Sequence, residues 1–165
     1  MTDSAGPERT EDGRWIVVDG RRWRASDPAI PEKLRAELVA ELMRARRLVK
    51  SDPETARPRV QDAKVALGER GAPWWEPTEA GLRARAAATI RTLLRQRHPS
   101  TICPSDAARV IGGEGWRGQM PMVREVAGEL AAQGVVAVQQ RGERVEITEV
   151  SGPIRLAAGP GLIPG

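Results

Sequence analysis

Thiol–imidazole chemistry has one candidate pair in this 165-residue chain, which contains a single histidine, His98, and a single cysteine, Cys103. They stand five apart around Pro99, a spacing that does not force contact. Nothing adjacent would lower the thiol pKa as a reactive cysteine requires. His98 suits a helix C-terminus, where a cation is favoured, and Cys103 suits a small apolar site or the start of the next helix. Glu143 and Glu146 fall on an expected hairpin and read as surface charges. Gly112-Gly113-Glu114-Gly115 precedes a helix N-terminus, a place where phosphates bind. It lacks the lysine of a P-loop and any G-x-G-x-x-G order, so it reads as a turn. One cysteine and one histidine exclude an intramolecular disulfide and every Cys/His zinc finger. The expectation is a non-enzymatic protein with no metal or organic cofactor.

Arginine and glutamine offer a different chemistry. In a helix-turn-helix, side chains at the start of the recognition helix meet base edges in the major groove. Arginine pairs with guanine and glutamine with adenine, each through two hydrogen bonds. A helix expected near residues 116–133 would expose Arg117, Gln119 and Arg124 for that role. The hairpin after it would offer Arg141 and Arg144 to phosphates. Glu125, Glu129 and Glu143 oppose the reading, because phosphate neutralisation supplies much of the affinity for DNA. Two partner classes follow: double-stranded DNA or RNA, and alternatively a protein partner bound through the same fold.

The elements that would position these groups can be read from periodicity. Thr78 or the nearby turn caps a helix from about Glu79 to Arg97, with Leu82, Ala86, Ile90, Leu93 and Arg97 at successive turns. Thr101-Ile102-Cys103 has the length of a stub strand. Pro104 and Asp106 open a short helix carrying Ala107, Ala108, Val110 and Ile111. The long helix near 116–133 ends at Gly134. Residues 135–140 and 144–150 alternate around Arg141-Gly142-Glu143 as a hairpin, and Ile154 and Leu156 suit a further short strand. Helix, stub strand, helix, turn, helix and hairpin is the order of a winged helix-turn-helix.

The first half reads as a companion module. Asp19-Gly20 tolerates the positive φ angles of a type I′ turn and joins two short strands within residues 14–25. Trp15 and Trp23, eight apart, are expected on one face, packed on the helices that follow; the alternative is that Arg21, Arg22 and Arg24 beside Trp23 bind phosphate or form an RNA-facing stacking patch. A helix from about Pro31 to Lys50 carries Leu34, Leu38, Leu42, Ala45 and Val49 inward, with Glu37 and Glu41 among arginines on a solvated face. A second helical segment starts after Asp52, with Pro58 setting its first turn and Gly71 its end. Trp74-Trp75, flanked by prolines, marks a boundary and ties the halves together. The fold class is mainly α with small β-hairpins (α+β). The expected organisation is a disordered tail (1–13), a hairpin and two-helix module (14–75), a winged-helix domain (76–156) and a flexible tail (157–165).

Composition narrows the setting. The chain is 40% apolar and 29% charged, within globular usage. Phe and Tyr are absent, so five tryptophans carry all aromatic packing. Lysine occurs only at 33, 50 and 64, leaving 23 arginines among the 26 basic residues, an excess that a GC-rich coding bias explains. The net charge of +4 and a pI near 10.1 permit nucleic-acid binding. Residues 1–75 hold 15 basic and 13 acidic groups and residues 76–165 hold 11 and 9, so neither half is a basic arm. No apolar run reaches the roughly 18 residues of a transmembrane helix, and the N-terminus has no signal-peptide core. A cytoplasmic protein without a membrane partner is expected; the sequence does not set its oligomeric state.

TICPSDAARV, the pattern W-R-x-x-M-P-x-V-R-E-V-A at 116–127, Gln139-Gln140-Arg141-Gly142 and Gly152-Pro153-Ile154-Arg155 resemble a bacterial domain-of-unknown-function family whose members are sometimes labelled "biopolymer transporter Tol". RRWRASDPAIPE and AKVALGERGAPWWE look like a companion segment found in some members. The resemblance spans about residues 14–156. It implies a winged-helix fold without an established activity, and no membrane span accompanies the transporter label.

Overall fold

The computed structural model describes residues 7–163, and the first six residues of the expected N-terminal tail lie outside it. The chain is α+β and mainly helical, with two small antiparallel sheets. The first sheet is β1 (Glu8–Arg9), β2 (Trp15–Val18) and β3 (Arg21–Arg24), in that order. Asp19 and Gly20 both have positive φ, 51° and 77°, as a type I′ turn requires. That two-residue turn fixes Val18 opposite Arg21 and Ile16 opposite Trp23. Trp15 therefore faces Arg24, and the two tryptophans lie on opposite faces of the ribbon. The single-face expectation fails by one residue of register, which in a period-two strand reverses the face. Glu8 and Arg9 extend this sheet within the segment read as a tail.

Helices α1 (Glu32–Leu48), α2 (Pro53–Leu67) and α3 (Glu79–Arg97) form the body. Leu34, Leu38, Leu42 and Ala45 line the inner face of α1 as their spacing demands. Asp52 caps α2 by accepting from the Thr55 amide, so the helix starts at Pro53 and Pro58 lies inside it, not at its first turn. It ends at Gly68 with φ 84°, three residues before the expected Gly71. Thr78 caps α3 through the Gly81 amide, as expected.

Helix α4 (Pro104–Gly112) follows, and Asp106 accepts the Cys103 amide at its start. The expected helix from Trp116 is divided: Gly113–Gln119 is a 3-10 segment and α5 runs Met120–Ala132. Pro121, at the first turn of α5, has no amide to continue an α-helix from upstream, and three glycines in 113–118 weaken helical preference there. The second sheet has the order β5-β4-β6, from β4 (Val136–Gln140), β5 (Glu143–Arg144) and β6 (Arg155–Ala158). Ile102 bridges to Leu156 beside it. The hairpin's second strand is shorter than 144–150, because Ile147–Glu149 turns into a 3-10 segment. Ala158 and Leu162 pack on the core, and Gly159 and Gly161 donate to Val135 and Gly134 carbonyls, so part of the segment read as a C-terminal tail is held in place.

One hydrophobic core runs through both halves, from Ile30, Leu34 and Leu67 through Ile90 and Leu93 to Val123, Val136 and Leu156. Trp74 donates Nε1–H to the Ala25 carbonyl at 2.9 Å, and Trp75 meets Trp15 edge-on at 5.6 Å. The tryptophan pair thus fastens the first sheet at the segment where the sequence places a boundary.

Candidate nucleic-acid interface

The base- and phosphate-reading candidates occupy three places. Arg117 lies in the 3-10 segment, exposed, with its guanidinium 4.5 Å from the Trp116 ring centre; Arg109 approaches the same ring at 4.6 Å. Trp116 is half-buried against the core, so it anchors the turn. Gln119 departs from its expected exposed position. It is half-buried against α4, so close to Gly112 that a Cβ there would come within 3.0 Å of its Cγ. The 3-10 winding upstream of Pro121 rotates these residues away from the register of a continuous α-helix.

Arg124 and Arg144 are brought together. Both line an open groove of about 650 Å³ between α5 and the second sheet, with Val136, Val138 and Ile147 among its apolar walls. Arg124 also donates to the Gly152 carbonyl at 3.3 Å, joining α5 to the loop before β6. Arg141 sits at the hairpin tip with φ 54°, followed by Gly142 at 81°, again a two-residue turn with positive φ at both positions. It is exposed, as is Arg144.

Sequence reasoning identified the acids that oppose the nucleic-acid reading but missed the partner that two of them share. Glu125 and Glu129, one helical turn apart on α5, both accept from Arg83 of α3, the first at 2.9 Å. These hydrogen bonds, Glu125 before Glu129, hold the Arg83 pKa above its ordinary value. One guanidinium thus serves two carboxylates, and the trio keeps one net negative charge on this face. The i, i+4 spacing of the two glutamates was visible in the sequence, but their shared partner, more than 40 residues upstream, was not. By contrast, no carboxylate pairs with Arg117, Arg124, Arg141 or Arg144 among the described residues. Glu143 and Glu146 stay exposed near the hairpin.

Cys103 accepts a contact from the Ser105 hydroxyl at 3.0 Å and lies at the start of α4, while His98 follows the last turn of α3. No three His, Cys, Asp or Glu side chains converge as a metal set among the described residues. None of the described helices is long and apolar enough to cross a membrane.

Comparison with known families picks out a segment that takes in α3 from its second turn, α4, α5 and the second sheet. Residues 83–159 match the model of a family described as "Protein of unknown function (DUF3253)". The matched segment contains every candidate residue above and runs one residue past β6. The companion segment of the sequence resemblance, upstream of Arg83, lies outside it, and the matching description carries no transporter label. No curated protein matches the chain.

Proposed function

We propose that residues 76–156 form a winged helix that binds double-stranded nucleic acid weakly, in the manner of a regulator. Helix α5 and the 3-10 turn before it would face the groove, and the β4–β5 hairpin would be the wing. Element order supports this reading, as does the placement of Ile102 beside β6. The observation that carries it is the charge arrangement on α5. Arg83 pairs with Glu125 and Glu129 and offsets one of their two charges, whereas the arginines at 117, 124, 141 and 144 have no carboxylate partner among the described residues. Arg117 is the base-reading candidate, while Gln119 is turned toward α4 and contributes to the turn. Arg141 and Arg144 suit phosphates.

The test is fluorescence anisotropy with a labelled random duplex of roughly 20 base pairs at about 50 and 200 mM salt, where affinity should fall steeply between the two. Arg141→Ala should weaken binding uniformly across sequences and reduce the salt slope by about 1. Absence of binding by the folded protein at low salt would end this reading.

The groove between α5 and the second sheet favours a second reading, a protein-interaction module. Its apolar walls and mixed-charge rim suit a peptide better than a phosphate backbone. A single stoichiometric protein partner lost on Ala132→Asp, an exposed position on the groove wall, with no duplex binding at low salt, would select it.

A further inference from the structure

On the other half of the molecule, β3 and the C-terminal turns of α1 and α2 surround a second opening of about 280 Å³. Four cationic side chains border it: Arg24, Arg46, Lys64 and Arg70. Glu69 is the one carboxylate on its rim, and that group already accepts from Ser26 at 2.8 Å. None of the four cations forms an ion pair among the described residues. Trp23 forms part of the wall and is 46% exposed, unusual for a tryptophan with a core available nearby.

Helix dipoles explain part of this arrangement. Arg46 and Lys64 lie in the last turns of α1 and α2, where cations are favoured. They do not explain why both point to one opening shared with Arg24 and Arg70, where like charges repel. The repulsion registers at Lys64: burial first, then Arg70 and Arg46, depress its pKa below the usual lysine value. Arg24 borders the opening, but its guanidinium turns to the face of the ribbon opposite Trp23, where Nη1 donates to the Gly71 carbonyl at 2.7 Å and the group lies 5.8 Å from the Trp75 ring centre. A phosphate group answers the converging charge of Arg46, Lys64 and Arg70, since it accepts hydrogen bonds and neutralises that charge.

Beside that phosphate position stands an accessible indole. Arg21 approaches its ring at 4.9 Å, the stacking arrangement of a guanidinium on an aromatic platform. An aromatic base stacks on such a platform irrespective of its sequence. We propose that this opening binds a nucleotide unit, with its phosphate among Arg46, Lys64 and Arg70 and its base on Trp23. The unit comes either free or within a single strand. The site lies outside the segment matched to the family and does not depend on duplex binding by α5.

The full chain should be titrated calorimetrically with inorganic phosphate and with AMP at low salt, and by anisotropy with a labelled oligo(dA) of about 12 nucleotides, within the range that single-strand sites span. AMP should bind about tenfold more tightly than phosphate, the increment a stacked base supplies, and Trp23→Ala should erase that difference. The double variant Arg46→Gln/Lys64→Gln should weaken both ligands at least about tenfold, as the loss of two charge-assisted contacts demands. Its helical circular dichroism should match the parent. Arg141→Ala on the hairpin should leave AMP binding unchanged, which separates this site from the duplex surface. Strand binding well above AMP identifies a single strand as the source, and equal affinity identifies a free nucleotide. Failure of phosphate and AMP to bind, or binding indifferent to the Arg46 and Lys64 changes, overturns the site. Equal binding of phosphate and AMP overturns the nucleotide assignment.

Discussion

Arginine does structural work here that a count of basic residues conceals. Arg59 grips the fully buried Glu41 with two hydrogen bonds of 2.8 Å, Arg91 and Arg95 share Asp62, and Arg97 links Glu37 to Asp106. Glu37 and Glu41, expected on a solvated face with partners on their own helix, bind Arg97 of α3 and Arg59 of α2; Glu41 keeps Arg44 of its own helix only at a longer 3.7 Å. Glu41 stands three residues after Leu38, on the inner stripe of α1, and only a guanidinium delivered from another helix makes that position tenable. Arg85 is the most demanding case. It lies buried in α3 and donates to Ala66 O at 3.0 Å, Asp27 Oδ2 at 2.9 Å and Val110 O at 3.4 Å. Burial lowers its pKa, and the attraction of Asp27 opposes that shift. Arg85→Ala should destabilise the fold by about 3–5 kcal/mol in urea titration, because it strands a buried carboxylate. Asp27→Ala added to that variant should recover part of the loss, and no recovery would locate the effect in the two carbonyls. Nothing in the local sequence marks Arg85 as different from the partly exposed arginines of the same helix, since its three partners come from three distant segments.

At the scale of single elements, the turns and caps were legible and the helix boundaries less so. Asp19-Gly20 and Arg141-Gly142 take the positive φ values that two-residue hairpins need, and Thr78 caps α3 where its side chain dictates. These features depend on a few adjacent residues, so sequence states them directly. The end of α2 depends on more. Both Gly68 and Gly71 have positive φ, but Gly68 ends the helix, and a Cβ there would meet Trp74 Cδ1 at 3.0 Å. Gly68→Ala should therefore cost more than the roughly 1–3 kcal/mol of a left-handed non-glycine residue. Gly20→Ala, with φ 77° and open space around it, supplies the backbone cost alone. Equal melting-temperature losses in the two variants would show that Trp74 yields without penalty. The 3-10 segment before α5 followed from Pro121 and three glycines, all visible in the sequence, yet its consequence was not. Gln119 lost its exposed position because the backbone winding changed over a single turn.

For the molecule as a whole, the continuous core and the Arg85 network make the two halves mechanically one body. Ala66 and Asp27 from the first half and Val110 from the second all bind one guanidinium. Thermal unfolding should accordingly give one transition, with helical circular dichroism and tryptophan fluorescence coinciding. Four of the five tryptophans lie before residue 76, so fluorescence reports chiefly on the first half. Separated transitions would mean that residues 14–75 and 76–156 unfold independently. The amino-acid sequence by itself determined the α+β class, the order of elements in the second half, the hairpin turns and most of the apolar faces, because each depends on short-range periodicity or one turn's chemistry. It also determined the absence of a Cys/His zinc finger, by composition alone. Tertiary structure alone decided which carboxylate each arginine holds, that Trp15 and Trp23 face opposite ways, and that Lys64 and Arg46 share an opening with Arg24. Those outcomes depend on distances between segments far apart in the chain, and on a register that one residue reverses; no local pattern carries either.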